Sequence, residues 1–456
     1  MRKNYKRRQF TLLLIDVVLF ALSLYIALCV RAVAFVSPET FLDRLQGFFP
    51  AFLIWIFAYY AAGLYSLDLA FDDFAFAGRA IAASAIAVLL AALYFYLAPS
   101  TSISPKTVLA LFAAVSTGVF IAWRFGYGKV TRLFFPKTGV VFIGATEEAV
   151  ALATEIGRRP LLGYQVRFFF DERERHAAVT EGIPLVSDVD ILAGAIETSD
   201  VDLVILSDER LLRSDIQRKL FDLLVRKIRF MRLPDFYEIL LRRVPIGAIN
   251  EAWFLENIDL GAMRLYDGVK RGIDFGLAAI GLVVSISFWP LVAIGIKLTS
   301  PGPVFFRQKR VGRGSRPFTI LKFRTMRVAG NDFKPTAEGD NRITRFGNFL
   351  RKSRIDEIPQ VVNILFGDMS IIGPRPERPE LVTELEKAIP FYRQRLLVKP
   401  GLTGWDQVSG EYHSPSIADT YKKLQFDLYY VKNRSAILDV SILFKTVNTV
   451  FARSGR

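Results

Sequence analysis

Apolar positions follow two regimes along this chain. Through residue 125 they form four long runs with few charges, roughly Phe10–Val30, Phe48–Tyr65, Arg79–Ala98 and Thr107–Phe125. Each approaches the roughly 20 residues that cross a bilayer as a helix, so the pattern predicts a four-helix transmembrane bundle within residues 1–130. Arg2, Lys3, Lys6, Arg7 and Arg8 precede the first run, and Arg124, Lys129, Arg132 and Lys137 close the fourth. Positive flanks stay in the cytoplasm, and an even number of crossings puts both ends there. The first run is too long for a signal peptide and lacks a small-residue cleavage site. The loop carrying Asp68, Asp72 and Asp73 falls on the same side, against a weak preference. Asp16, inside the first run, is either a functional carboxylate or a polar contact within the bundle.

From residue 138 the pattern becomes globular. Gly139–Ile143, Gln165–Phe170 and Val201–Leu206 read as short buried strands, with helical periodicity to about Arg158 and over Ile191–Glu197. Alternation of strand and helix predicts a parallel α/β sheet, a Rossmann-like domain over 138–247. The turn after its first strand offers only Gly144 toward a dinucleotide fingerprint, with Thr146 and Ala149 at the other positions. Glu147 and Glu148 would repel a phosphate there. A structural or regulatory domain is therefore expected, with His176 in a solvated loop.

A fifth apolar run, 273–298, differs from the first four. Lys270 and Arg271 precede it; Lys297, Arg307, Lys309, Arg310, Arg313 and Arg316 follow. Both flanks belong on the cytoplasmic side. Pro290, after Trp289, removes a helix hydrogen bond and breaks the rod. A re-entrant helix that enters one leaflet and returns is expected, rather than a kinked span.

Composition sharpens this outline. The hydrophobic fraction is 52%, and the net charge of +15 favours anionic partners, lipid head groups or phosphorylated substrates. Cys29 is the one cysteine, which excludes an intrachain disulfide and a cysteine metal site; His176 and His413 are the two histidines, which excludes a histidine-rich one. Catalysis must rest on carboxylates and cations, with a bound metal as a further candidate.

Beyond the fifth run, cations surround one acidic pair. Lys322, Arg324, Arg342, Arg345, Arg351, Lys352 and Arg354 lead to Asp356-Glu357, and Gly373-Pro374-Arg375-Pro376-Glu377 follows. Positive neighbours lower a carboxylate pKa and keep it ionised. An ionised Asp can bind magnesium or act as a nucleophile on phosphorus, while Arg and Lys neutralise phosphates. Residues i and i+1 of a helix point apart, so Asp356 and Glu357 suit different tasks. The bland alternative is a solvated charge run on an amphipathic helix. Gly312-Arg313-Gly314-Ser315 lacks the spacing and ending of a Walker loop, and His413 suits a local role better than a general base.

Over Tyr266–Phe451 the chain resembles the bacterial sugar transferase family, the monotopic phosphoglycosyl transferases. The resemblance rests on Ser300-Pro301-Gly302-Pro303-Val304-Phe305, Lys322-Phe323-Arg324-Thr325-Met326, Asp356-Glu357-Ile358-Pro359-Gln360, Gly367-Asp368-Met369-Ser370, Gly373-Pro374-Arg375-Pro376, Lys399-Pro400-Gly401-Leu402-Thr403-Gly404-Trp405 and Lys423-Leu424-Gln425-Phe426-Asp427-Leu428-Tyr429-Tyr430. Four spans and a Rossmann-like domain ahead of it are similar to the large members that initiate exopolysaccharide or O-antigen synthesis. The resemblance implies an α+β catalytic module over 264–456 on the re-entrant helix, at the cytoplasmic face of the bacterial inner membrane. It implies a two-step transfer in which Asp356 attacks the β-phosphorus of a UDP-hexose, glucose or galactose, releases UMP and passes the sugar phosphate to undecaprenyl phosphate. Asp356 and Glu357 would hold Mg2+; Lys322, Arg324, Arg351, Arg354 and Arg375 would bind phosphate; Lys399 would reach the nucleotide or stand solvated in its turn. The expected partners are the UDP-sugar, undecaprenyl phosphate and membrane lipids, with a homodimer as a further candidate and no nucleic acid. A catalytically silent nucleotide-sensing scaffold of the same fold is the alternative. The chain departs from the family pattern at Trp289, where Ser is frequent, and at Asp406, where Ala is.

Overall fold

The computed structural model describes residues 2–65, 74–97, 106–134, 137–159, 162–173, 182–226, 228–259, 261, 263–327, 340, 342–409 and 416–451. Asp68, Asp72, Asp73, His176 and His413 lie outside them. The chain forms two compact units, Met1–Leu241 and Arg242–Arg456.

The first unit opens with α1 (Arg2–Ala32), α2 (Pro38–Ala61), α3 (Phe74–Leu97) and α4 (Lys106–Phe134), with α1 against α4 and α2 against α3. Each contains a stretch long and apolar enough to cross a membrane. The second helix begins ten residues before the apolar run at Phe48, because Ser37 caps it and Pro38 starts it, where a missing N–H costs nothing. Phe20, Phe52, Trp55, Tyr59, Phe112 and Phe120 form an aromatic centre. Phe10, Leu14, Val18 and Leu22 face outward at four-residue spacing, as lipid contact requires. Asp16 is an interior contact: its carboxylate accepts from Arg124 Nη2 at 2.6 Å, with both side chains fully buried. The guanidinium lies over the Tyr65 and Phe120 rings. A second polar chain, Tyr59–Ser84–Thr117, ties α2, α3 and α4.

The unit continues with β1 (Thr138–Ile143), α5 (Glu147–Arg158), β2 (Tyr164–Phe170), β3 (Leu185–Val186), α6 (Val189–Thr198), β4 (Leu203–Leu206), α7 (Ser214–Asp222), β5 (Arg229–Arg232) and α8 (Leu233–Leu241). The strands form one parallel sheet in the order β3-β2-β1-β4-β5. Strands β3 and β5 escaped the sequence reading: one is two residues long, and the other is half charged.

The second unit starts earlier than the sequence suggested. Trp405 Nε1 donates to the Arg242 carbonyl, Val244 N–H donates to the Gln425 carbonyl, and Ile246 and Trp253 join Tyr392, Leu424 and Leu428 in one core. The boundary therefore lies at Leu241/Arg242 rather than at residue 247. After α9 (Glu251–Asn257) come α10 (Arg264–Ile286) and α11 (Trp289–Thr299), bent 59° from each other. Pro290 stands in the first turn of α11, where its ring fits, and Trp289 packs edge-on against Phe305 and Phe323. Ile273, Leu277, Ile280, Val283, Phe288, Leu291 and Ile294 are exposed around the bend, an apolar belt too large for water contact.

An antiparallel hairpin follows, β6 (Phe305–Val311) with β7 (Pro317–Phe323), then α12 (Arg345–Lys352), a 3-10 turn (Ile355–Gln360) and α13 (Val361–Phe366). Next are β8 (Ser370–Ile372), α14 (Pro379–Ala388), β9 (Gly401–Thr403), α15 (Ile417–Asn433) and α16 (Ala436–Phe451). Strands β8 and β9 pair in parallel. Helix α16 buries Ile442 and exposes Ile437 and Val440.

Asp16→Ala removes the carboxylate facing a buried guanidinium. We expect it to cost about 3–5 kcal/mol, seen as a fall in Tm of the detergent-solubilised chain. Asp16→Leu with Arg124→Leu together should recover most of that fall, and equal Tm for wild type and Asp16→Ala would contradict the packing account.

Candidate active site

The acidic pair owes its position to a sharp change of chain direction. Thr344 caps α12, its Oγ1 accepting from Gly347 N–H at 2.9 Å. Gly347 lies so close to the chain after β7 that a Cβ there would collide with the Thr325 carbonyl. After Lys352 the helix stops, and Arg354 adopts a left-handed conformation (φ 58°), costly for a residue with a Cβ. The 3-10 turn begins at once and carries Asp356 and Glu357 inward, where both are buried. Asn363 of α13 clips the turn's neighbour β7 in place: its amide donates to the Thr319 carbonyl at 2.8 Å, and its carbonyl accepts from Leu321 N–H at 3.0 Å.

Three elements then meet at Glu357. Its Oε1 accepts from Lys322 Nζ on β7 at 2.7 Å and from Arg375 Nη2, beyond β8, at 3.0 Å. Oε2 faces Arg354 Nη1 at 3.8 Å, beyond hydrogen-bond range. Among the described residues no donor bonds the Asp356 carboxylate. A second layer fixes Arg375. Arg395, fully enclosed, donates to the Arg375 carbonyl at 2.9 Å while Asp427 accepts from its Nε at 2.9 Å. Glu377 takes Lys423 and lies beside Arg310.

This arrangement divides the pair. Burial alone would raise Glu357, but Arg375, then Lys322 and Arg354, hold it well below the usual carboxylate range. Asp356 moves the other way. Burial raises it, the Glu357 charge adds to that, and Lys322, Arg351 and Arg354 offset only part. The expectation that nearby cations lower the carboxylate pKa therefore holds for Glu357 and is corrected for Asp356, where burial and the Glu357 charge outweigh them. Burial also pushes the Lys322 ammonium down, against the pull of Glu357.

The sequence-derived candidates sort as follows. Lys322, Arg354 and Arg375 converge on Glu357, and Arg351 is near enough to act on Asp356. Arg324 does not join them. Its guanidinium is buried and donates to the Ser300 and Pro301 carbonyls at 2.7 Å each, so it braces the turn after α11. Lys399 opens on a different cleft, with Arg271 and Arg313. Arg395 and Asp427 went unread as site residues; a buried Arg–Asp pair 32 positions apart leaves no local periodic signal. Asp356 and Glu357 offer only carboxylate oxygens to a divalent cation, the donor type that magnesium takes together with substrate phosphates. No group of three metal-ligating side chains converges among the described residues.

In the α/β domain, side chains meet at the turn after β1. Asp171, after β2, accepts from Ala145 N–H at 3.0 Å, and Arg173 donates to Asp171 and to Asp208, after β4. A Cβ at Gly144 would stand 2.7 Å from that of Asp208. The backbone donor that a pyrophosphate would need at this switch point is occupied by a carboxylate.

Fold and site define a protein with four helices able to cross a membrane and a module in which cations surround a buried acidic pair. The family described as bacterial sugar transferase matches residues 265–453, and a CoA-binding domain description matches 60–225. The chain belongs to the bacterial sugar transferase family. A UDP-glucose:undecaprenyl-phosphate glucose-1-phosphate transferase of Xanthomonas campestris pv. campestris is 35% identical over 69% of this chain and 66% of its own length. A protein of the same description from Caulobacter vibrioides is 40% identical over 39% of this chain and 68% of its own length. A UDP-N-acetylgalactosamine-undecaprenyl-phosphate N-acetylgalactosaminephosphotransferase of Aeromonas hydrophila is 43% identical over 48% of this chain and 51% of its own. The match thus spans between half and two thirds of the Aeromonas and Xanthomonas relatives.

Glu357 is held below its ordinary value of 4.5, so its charge stabilises the fold above that pH, and the contribution is lost as pH falls through the folded value. Asp356 has the opposite sign: with its folded value above the ordinary 3.8, stability declines as pH rises through that interval. Glu357→Gln should cost about 3–5 kcal/mol at pH 7 by leaving Lys322 and Arg375 without their carboxylate. Its deficit against wild type should shrink below pH 4.5, measured by thermal melts across pH; a pH-independent deficit would refute the ion-pair origin.

Proposed function

We propose that this protein transfers hexose 1-phosphate from a UDP-sugar to undecaprenyl phosphate, giving undecaprenyl-diphosphate-hexose and UMP. The single observation behind this reading is the division of labour at the acidic pair: Glu357 is bound by cations, while no donor among the described residues bonds Asp356. A buried carboxylate that holds its proton more tightly than usual is also the more basic, more nucleophilic oxygen.

Asp356 attacks the β-phosphorus of the UDP-sugar in line with the bond to the α-phosphate oxygen. That bond breaks, UMP leaves with the electron pair, and an aspartyl phosphosugar forms. An oxygen of undecaprenyl phosphate then attacks the same phosphorus and releases the Asp356 carboxylate. Lys322, Arg354 and Arg375, together with Arg351, neutralise the phosphoryl oxygens as charge builds. Asp356 and Glu357 would hold magnesium, which supplies further neutralisation of the diphosphate. Arg395 acts through Arg375, whose carbonyl it holds, as a positioning residue.

The membrane supports this reading. The α10–α11 pair is bent by 59°, carries an exposed apolar belt and has basic residues at both ends. In the proposed arrangement the pair enters one leaflet and returns, which keeps both basic flanks and the module on the cytoplasmic face of the bacterial inner membrane, where UDP-sugar in water and polyprenyl phosphate in lipid both reach Asp356. Glucose and N-acetylgalactosamine are the sugars in the relatives' names, and galactose completes the set to test.

Turnover with these UDP-sugars and undecaprenyl phosphate, comparing wild type with Asp356→Asn, tests the proposal. UMP release should fall by about 10³-fold or more, with Tm unchanged or raised, because the amide removes a buried charge. Undiminished release would remove Asp356 from the nucleophile role; wild type inactive with every sugar would favour the nucleotide-sensing scaffold.

A further inference from the structure

The chain between the α/β domain and Tyr266, where the sugar transferase resemblance begins, is built into the catalytic module as a strap. The Arg242 carbonyl accepts from Trp405 Nε1 at 3.0 Å, and Val244 N–H donates to the Gln425 carbonyl at 3.0 Å. The Arg243 guanidinium lies over the Phe426 ring. Asn250 then caps α9, its Oδ1 accepting from Trp253 N–H at 3.0 Å. Trp253 is buried in one core with Tyr392 and Leu396, and the Lys432 ammonium of α15 stands 4.6 Å from the centre of its ring.

Two of the elements gripped in this way carry the pair that holds Arg375. Helix α15 carries Asp427, next to Gln425 and Phe426. The 3-10 turn Tyr392–Leu397 carries Arg395, and Phe391, the residue that opens it, stands in a left-handed conformation (φ 59°), unfavourable for a residue with a Cβ. Phe254 packs its ring against Phe391, with 4.9 Å between centroids, which offsets that strain and fixes where the turn starts. From this turn Arg395 donates through Nε to Asp427 at 2.9 Å, through Nη1 to the Tyr392 hydroxyl at 2.8 Å and through Nη2 to the Arg375 carbonyl at 2.9 Å. Arg375 in turn donates to Glu357. An unbroken series of contacts thus runs from Phe254 to the acidic pair.

We propose that Trp253 and Phe254 are positioning residues for the phosphate site, acting through the Phe391 turn and the Arg395–Asp427 pair on Arg375. A guanidinium that neutralises charge developing at phosphorus must already be in place when the reaction occurs, and a displacement of about 1 Å costs up to about a hundredfold in rate. Arg395 holds the Arg375 backbone, and the strap holds Arg395: its contacts with α15 and with the turn fix both partners of the buried ion pair. Leu255, between Phe254 and Glu256 on the same helix, is exposed and makes a neighbouring control. The proposal deepens the transfer reading and rests on it for its kinetic part alone.

Steady-state UMP release and hydrogen–deuterium exchange, both on the full detergent-solubilised chain, test this. Phe254→Ala should lower kcat about 10- to 100-fold with KM for UDP-glucose unchanged, and Phe254→Tyr should restore it. Leu255→Ala should match wild type. Arg395→Lys should also lower kcat, and in the double variant with Phe254→Ala the two losses should not multiply, because both act along one path. The amides of Gly373, Arg375 and Glu377 should exchange faster in Phe254→Ala and at the wild-type rate in Leu255→Ala. If thermal melts show the alanine variant unfolded, Phe254→Leu takes its place. A wild-type kcat in Phe254→Ala, losses that multiply in full, or unchanged exchange at those three amides would each overturn the proposal. A wild type inactive with every UDP-sugar would instead sink the transfer reading, and exchange alone would then decide the strap.

Discussion

The contact on which the catalytic module is organised is the grip of Lys322 and Arg375 on a single oxygen of Glu357. A buried carboxylate is costly unless paired and hydrogen-bonded, and here the pairing draws three distant stretches of chain together. The hairpin strand, the 3-10 turn and the loop after β8 cannot shift independently without leaving a charge unpaired in a dry place. Arg354, in its left-handed conformation, is the local strain that brings the turn inward. The outcome is asymmetry between adjacent acids: one saturated by cations, the other buried beside its charge and held toward the proton.

The same logic governs the membrane portion. In hydrocarbon, polar groups must find one another, and Asp16 with Arg124 does so between the first and fourth helices. The bent helix of the second unit solves another problem. Its exposed apolar belt needs lipid, yet its two ends carry cations that need water and phosphate. A 59° break between α10 and α11 lets the belt and the charged ends face different surroundings.

The α/β domain has a doubly wound topology, and its own side chains meet at the turn after β1. Asp171 takes the Ala145 N–H, and Arg173 bridges to Asp208.

Four apolar stretches, a parallel sheet and a broken helix at Pro290 were legible in the residues because each rests on a local rule: length of hydrocarbon, alternation of strand and helix, and the missing N–H of proline. So was the acidic pair, since its flanking motifs lie close along the chain. Which cation serves which acid was not legible. Arg324 and Lys322 are two residues apart on the same stretch, yet one braces carbonyls of the Ser300–Pro301 turn and the other holds Glu357. Arg395 meets Asp427 only after the chain has folded back. Charge type and spacing determine which chemistry is available; burial and partner choice, fixed by contacts between segments far apart in sequence, decide which group is ionised, which is structural and which is left to react.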